Sequence, residues 1–284
     1  MINSRVEDTH FPKMNHLKVK DKLIDLKSPK IMGIINLTPD SFFAKSRTTT
    51  KELLIEVEKM IKDGASIIDI GGFSTRPNSQ LITVNEELER TKNAVSIIKK
   101  EFPDIIVSID TFRSEVLNQC ADEGVDMVND ISGFQFDSNF LDVVSSYQLS
   151  YVLMHCPSTF ENMHRVEENI DLFKKMTRYF SEKIGLLKSK NINDVVIDPG
   201  FGFGKTLDQN YQILHFFQDL HILERPILVG ISRKSMIAKK LEIETSETLN
   251  GTTILNTLAV LKGASILRVH DVKEAAEILK LLSR

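Results

Sequence analysis

Ile31-Met32-Gly33-Ile34-Ile35-Asn36-Leu37 is apolar almost without interruption, and a strand that lacks polar alternation is one covered on both faces. Seven comparable β-branched runs follow, at 66–70, 105–110, 127–131, 151–155, 195–198, 227–232 and 265–270. Between them lie stretches with apolar residues three and four apart, such as Leu53, Val57 and Ile61, which is the period of an amphipathic helix. Strand candidates that alternate with helix candidates specify a parallel sheet. Eight such units in roughly 250 residues match a (β/α)8 TIM barrel in count and length, whereas an open doubly wound sheet has fewer strands and begins on a glycine-rich turn. The expected class is therefore α/β, with a single barrel domain over residues 17–284. Leu17 to Leu26 reads as a short β-hairpin with Asp21-Lys22 near its turn, placed to plug the bottom of the barrel, and residues 1–16 read as an N-terminal tail.

The composition supports this. The 284 residues carry 42% hydrophobic and 26% charged side chains, enough for a large core and too evenly spread for disorder. A net charge of -3 leaves no basic excess for a nucleic-acid surface, so an anionic ligand must be met by a few placed cations. Tryptophan is absent and phenylalanine (16) dominates the aromatics, which disfavours stacking platforms for sugars or single strands. Cys120 and Cys156 stand in no metal-like spacing, and no apolar run reaches the length of a signal sequence or a membrane span. A cytoplasmic protein acting on small molecules, without nucleic-acid or membrane partners, is expected.

Barrel enzymes place their chemistry at the C-terminal ends of the strands. Asn36, Asp69, Asp110, Asn129, His155, Asp198, Ser232, Arg268 and His270 all stand there. One such Asp or Asn is as often a turn or helix cap as a functional group. A ring of them has to be satisfied by something, because a buried carboxylate without a partner costs several kcal/mol. Asp110, Asn129 and Asp198 offer acceptors and one amide, a set suited to a heterocycle with adjacent ring N–H and amino groups, and Lys234 is placed to reach a ring carbonyl. Arg268, His270 and Asn36 form the opposite set, rich in donors and suited to a phosphate or diphosphate. Arg268 and His270 share a face because they are two apart on a strand.

Two long loops, 38–47 and 71–79, follow the first two strands and read as substrate loops, with Arg76 a further cation for a leaving anion. A lone loop arginine is more often a solvated surface charge. Gly204-Lys205-Thr206 ends like a phosphate loop, but Pro199 stands where its first glycine belongs. His155, Cys156 and His164 fit no common zinc spacing, and His10, His16, His215 and His221 read as tail or helix-surface residues.

In order along the chain, Gly33-Ile34-Ile35-Asn36-Leu37-Thr38-Pro39-Asp40-Ser41-Phe42, Gly71-Gly72 with Ser74-Thr75-Arg76-Pro77, Ser108-Ile109-Asp110-Thr111, Val128-Asn129-Asp130-Ile131, Val152-Leu153-Met154-His155, Asp198-Pro199-Gly200-Phe201-Gly202-Phe203-Gly204-Lys205, Ser232-Arg233-Lys234-Ser235 and Arg268-Val269-His270-Asp271 resemble one family, the dihydropteroate synthases of folate biosynthesis. The resemblance implies an enzyme that joins a dihydropterin diphosphate to p-aminobenzoate, releasing diphosphate. It implies that Asp110, Asn129, Met154, Asp198 and Lys234 hold the pterin, and that Asn36, Arg268 and His270 hold the diphosphate together with Mg2+ on Asn36. The amine then lies among Phe42, Thr75, Pro77, Phe203, Ser232 and Ser235. Asp110, Asp198, Lys234 and Arg76 are the implied catalytic residues, and a homodimer through the helices at 255–261 and 272–282 is implied as well.

Two other functions share these features: a pterin-binding methyltransferase domain, and a non-catalytic pterin-binding paralogue. The chain departs from the family pattern in three places. Phe43-Ala44-Lys45-Ser46-Arg47 lacks the usual glycine-rich turn, Phe73 stands where a Glu is common, and Cys156-Pro157-Ser158 replaces a basic residue and glycine.

Overall fold

The computed structural model describes residues 13–37, 47–73, 82–156, 162, 165–168 and 170–283. An antiparallel hairpin comes first, β1 (His16–Val19) against β2 (Lys22–Asp25). The parallel strands are β3 (Lys30–Asn36), β4 (Ile67–Gly71), β5 (Ile106–Asp110), β6 (Met127–Asp130), β7 (Ser150–Met154), β8 (Val195–Asp198), β9 (Leu228–Val229) and β10 (Ile266–Val269). They pair in the order β8-β7-β6-β5-β4-β3-β10-β9, and a parallel bridge between Ile197 and Ile227 closes the ring. The fold is a (β/α)8 barrel. Its helices are α1 (Arg47–Asp63), α2 (Val84–Glu101), α3 (Ser114–Asp122), α4 (Phe140–Ser146), α5 (Leu172–Ser189), α6 (Leu207–Phe216), α7 (Ser235–Leu241), α8 (Leu249–Leu261) and α9 (Val272–Leu282). Among the described residues no helix is long and apolar enough to cross a membrane.

The period of two along each strand divides the core. Ile31, Ile35, Ile68, Ile70, Val107, Ile109 and Val128 pack outward under the helices. Close approach on that side requires Gly33, where a Cβ would stand 2.8 Å from the Met60 sulfur. Met32, Ile67, Ile106, Met127, Val152, Val196, Leu228 and Ile266 point inward and form an apolar floor. Leu17, Val19 and Leu26 of the hairpin segment belong to that same cluster, so the hairpin plugs the bottom of the barrel as expected. Polar bonds hold the plug in place: Ser150 Oγ donates to Lys18 O at 2.7 Å, and Lys18 N donates to Asp194 Oδ1 at 3.0 Å.

The boundaries differ from expectation in several places. The hairpin begins at His16, and its turn is Lys20-Asp21, with Lys20 at φ +50° and Lys22 already in the strand. The run 227–232 yields only the two residues of β9, because Lys234 N bonds back to Ile231 O at 3.0 Å and Arg233 adopts φ +53°, so the chain is already turning. His221 is no surface residue. A 3-10 turn over Phe217–Leu223 buries it with Phe217 and Leu220, and burial lowers its pKa.

If the hairpin is part of the core, Leu26→Ala should destabilise the protein by about 2–5 kcal/mol. A urea midpoint equal to that of the unmodified protein would mean that the hairpin is merely appended.

Candidate active site

Two residues above the apolar floor, the inward positions turn polar: Asp69 above Ile67, Ser108 above Ile106, Asn129 above Met127, Asp198 above Val196 and Arg268 above Ile266. Asp110, two residues beyond Ser108 on β5, pairs in register with Gly71 and Asn129. Arg268 crosses the interior and makes two ion pairs, Nε to Asp69 Oδ2 at 2.6 Å and Nη2 to Asp110 Oδ2 at 2.7 Å. Asp69, fully buried, also accepts from Asn129 Nδ2 at 3.0 Å. The sequence places Arg268 with the anion-binding set; in the structure its guanidinium reaches across β3 to the carboxylates of β4 and β5. Asp69 stands in the strand-end ring without a ligand assigned to it, and its position carries its own signal, since a carboxylate inside a strand buried on both faces needs a cation.

Burial pushes Asp110 up to about 7; Arg268 opposes the shift, and the neighbouring charges of Asp69 and Glu87 add to it. Burial also works against the charge on Arg268, but Asp69 and Asp110 outweigh it and hold the guanidinium ionised. Asn129 is set by the residue after it. Asp130 accepts from Ser132 N at 2.7 Å, from Phe134 N at 2.6 Å and from the Tyr151 hydroxyl, which fixes the turn beyond β6.

On the opposite wall Asp198 accepts from Gly200 N at 2.7 Å, and Met154 lies beside it in register. Burial raises the Asp198 pKa against the pull of Lys234. Lys234 is itself brought down to about 8, chiefly by burial, while Asp198 favours its charge. Its ammonium donates to Phe201 O and lies 4.9 Å from the centre of the Phe203 ring. Lys205, in the phosphate-loop lookalike, meets no anion among the described residues. Its ammonium bonds Gly200 O at 2.8 Å, Phe203 O at 3.0 Å and His155 O at 3.4 Å. Gly200 has φ +69°, and a Cβ there would stand 2.5 Å from His155 O, so this tight turn needs glycine.

The anion side is built on the turn after β9. Ser232 Oγ lies 3.1 Å from His270 Nδ1 and accepts from His270 N at 3.2 Å. Arg233 grips Asp271 with two bonds, at 2.9 and 2.8 Å, so the turn before α7 is tied to the turn before α9. Lys234 is the residue that caps α7 and Ser235 is its first residue. Asn36 ends β3 beside Gly71, where a Cβ would lie 3.7 Å from both Asn36 Oδ1 and Asp110 Cβ.

The structure thus brings together Asn36, Asp110, Asn129, Met154, Asp198, Phe203, Ser232, Lys234, Ser235, Arg268 and His270 at one end of the barrel. Phe42, Thr75, Arg76, Pro77 and His164 lie outside the described residues. His155 leaves the set: its ring packs edge-on against Tyr179, centroids 4.9 Å apart, and burial keeps it neutral.

Residues 32–270 match the model of a family described as pterin binding enzyme. The dihydropteroate synthase of Escherichia coli (strain K12) is 38% identical over 265 residues, which cover 91% of this chain and 92% of that protein. The dihydropteroate synthase of Synechocystis sp. is 39% identical over 90% of this chain and 89% of its own. The crystal structure of Yersinia pestis dihydropteroate synthase with a sulfonamide drug complex superposes with a TM-score of 0.87 at 36% identity, covering 94% of this chain and 97% of that one. The chain belongs to the pterin binding enzyme family, in its branch of dihydropteroate synthases, transferases of folate biosynthesis.

Removing one partner of a buried ion pair leaves an uncompensated charge. Arg268→Met is therefore expected to cost about 3 kcal/mol of stability, part of which Asp69→Asn in the same chain restores. Paired melting curves that show no such rescue would contradict the geometry.

Proposed function

We propose that the chain binds the dihydropterin ring between Asp110, Asn129, Asp198 and Lys234, over Met154, and transfers its methylene carbon from diphosphate to the amine of p-aminobenzoate. The observation that carries this is a charge pattern. Asp110 gives Oδ2 to Arg268, while its buried Oδ1 has no hydrogen-bond partner among the described residues. Such an oxygen calls for a donor such as a pterin N–H or amino group. A methyltransferase has no diphosphate to release, and the Ser232–His270 pair with Lys234 beside it suits an enzyme that releases one.

In the reaction the methylene C–O bond breaks and its electron pair leaves with the diphosphate. Positive charge spreads over the pterin, where the carboxylates of Asp110 and Asp198 stabilise it. The amine lone pair forms the new C–N bond, and the nitrogen then loses a proton to the departing diphosphate or to water. No protein nucleophile is required. His270 and Asn36 face the negative charge that develops on the leaving group, with Arg268 acting on both sides through its field; the resemblance to the family adds Arg76 to that role. The amine lies against Phe203 and the Lys234 stem, with its carboxylate near Ser232 and Ser235; Phe42, Thr75 and Pro77 are added to this set by the resemblance to the family alone.

Among the described residues no group of three or more His, Cys, Asp or Glu forms a metal cage. Asn36 would hold Mg2+ through its side-chain carbonyl, and the ion would supply neutralisation of the charge on the leaving diphosphate.

Both cysteines are buried thiols outside any disulfide, which fits a cytoplasmic setting. Ile254 and Leu261 on α8 and Leu281 on α9 are 58%, 64% and 84% exposed, and they are the natural contact for a homodimer.

Three measurements test this reading. With dihydropterin diphosphate and Mg2+ supplied, diphosphate release should depend on p-aminobenzoate; tight pterin binding without release would mark a binding module. Asp198→Asn should weaken pterin binding by about 1–3 kcal/mol, as read by calorimetry, and unchanged affinity would remove Asp198 from the ring pocket. Asp110 is the stronger acceptor when ionised, and protonation turns one of its oxygens into a donor, so pterin affinity should fall as the pH drops through about 7. Asp110→Asn should abolish that dependence, and a flat profile in the unmodified protein would remove Asp110 from the contact.

A further inference from the structure

Glu87 of α2 is fully buried behind the site, and three elements converge on it. Thr111 Oγ1 donates to its Oε1 at 2.7 Å, and Arg113 Nη1 donates to its Oε2 at 2.9 Å. The residue held between these two is Phe112. Arg113 Nη2 also reaches Ile82 O at 2.6 Å, and its guanidinium lies 5.5 Å from the centre of the Phe112 ring. Arg90, one turn along α2, donates from Nη1 to Gly72 O at 2.9 Å, and a Cβ on Gly72 would stand 2.7 Å from Thr91 Cγ2 and 3.0 Å from Glu87 Cγ. The residue after Gly72 is Phe73.

Both phenylalanines therefore have their backbones fixed by one group of charges. Their rings meet edge-on with centroids 5.2 Å apart, and Phe112 meets Phe136 in the same way at 5.3 Å. The cluster they form includes Met154, Ile131 and Cys156, with Phe203 and Ile82 packed against it. It adjoins Met154 of the ring pocket and Phe203 of the amine side.

We propose that Glu87, Arg113 and Arg90 form a clasp that positions Phe73 and Phe112 as an aromatic wall beside the amine substrate. The inference rests on the synthase reading and deepens it. None of the three charged residues touches substrate; they are positioning residues. A buried ion pair is a poor device for stability alone, because desolvation cancels much of its attraction. Its value here is that the Glu87–Arg113 pair ties the end of β5, just past Asp110, to the Ile82 carbonyl, while Arg90 on the same helix holds the Gly72 carbonyl. An aryl ring that must present its amine to a carbon at van der Waals distance needs such a wall, since displacement by about 1 Å costs up to a hundred-fold in rate.

The test is a kinetic split. With dihydropterin diphosphate saturating, Arg113→Met should raise the p-aminobenzoate KM or lower its kcat/KM about ten-fold. The calorimetric Kd for the pterin diphosphate should stay within about two-fold of the unmodified value. Arg113→Lys, whose ammonium still reaches Glu87, should recover most of the loss. Should Arg113→Met fold poorly, Arg90→Met, at a half-exposed position, should give the same split with a smaller amplitude. Unaltered amine kinetics in both well-folded variants overturns the clasp, as does a proportional loss of amine and pterin binding. Absence of amine-dependent diphosphate release by the unmodified chain sinks the synthase reading and the clasp together, whereas normal release with unaltered variants sinks the clasp alone.

Discussion

Arg268 leaves β10, passes β3 and reaches carboxylates on β4 and β5, and the polar mouth of the barrel depends on that crossing. Without a cation at this depth the Asp69 carboxylate would be buried with no opposite charge beside it. With it, one Asp69 oxygen holds both the guanidinium and the Asn129 amide nitrogen, which orients the other end of that amide. Asp110 is left in between, half neutralised and with one oxygen to offer. A single long side chain thus converts two buried carboxylates from a liability into a preorganised acceptor surface, and electrostatic preorganisation of this kind is what a developing cation needs.

The barrel was legible because its strands obey two rules at once. Runs covered on both faces are continuously apolar, and inward positions alternate, so Asp69, Ser108, Asn129, Asp198 and Arg268 could be placed on one face by counting. Counting does not show how far a flexible side chain reaches. Arg268 and His270 share a face, yet one reaches across to Asp69 while the other turns to Ser232. The last steps of the β9 run were likewise hidden, since Gly230-Ile231-Ser232 is apolar enough to extend a strand and only the backward bond of Lys234 ends it. His221 was misjudged because the helical period of α6 gives way to three residues per turn after Phe216.

Long-range polar contacts were the least visible. Glu87 and Arg113 stand 26 residues apart, one inside α2 and the other just before α3, and no spacing rule joins them. The hairpin was readable as a hairpin, but its three core residues take on their role only once a floor of eight strands exists for them to close.

Lys205 shows another way of holding a turn. Three carbonyl oxygens converge on its ammonium, an arrangement that elsewhere accommodates a dehydrated potassium ion. Because the ammonium is tethered to the chain, it does not have to be drawn from the medium as a free ion would. Burial lowers its pKa to about 7, so the turn that joins Asp198 to Phe203 answers to the pH of the medium more than to its choice of cation.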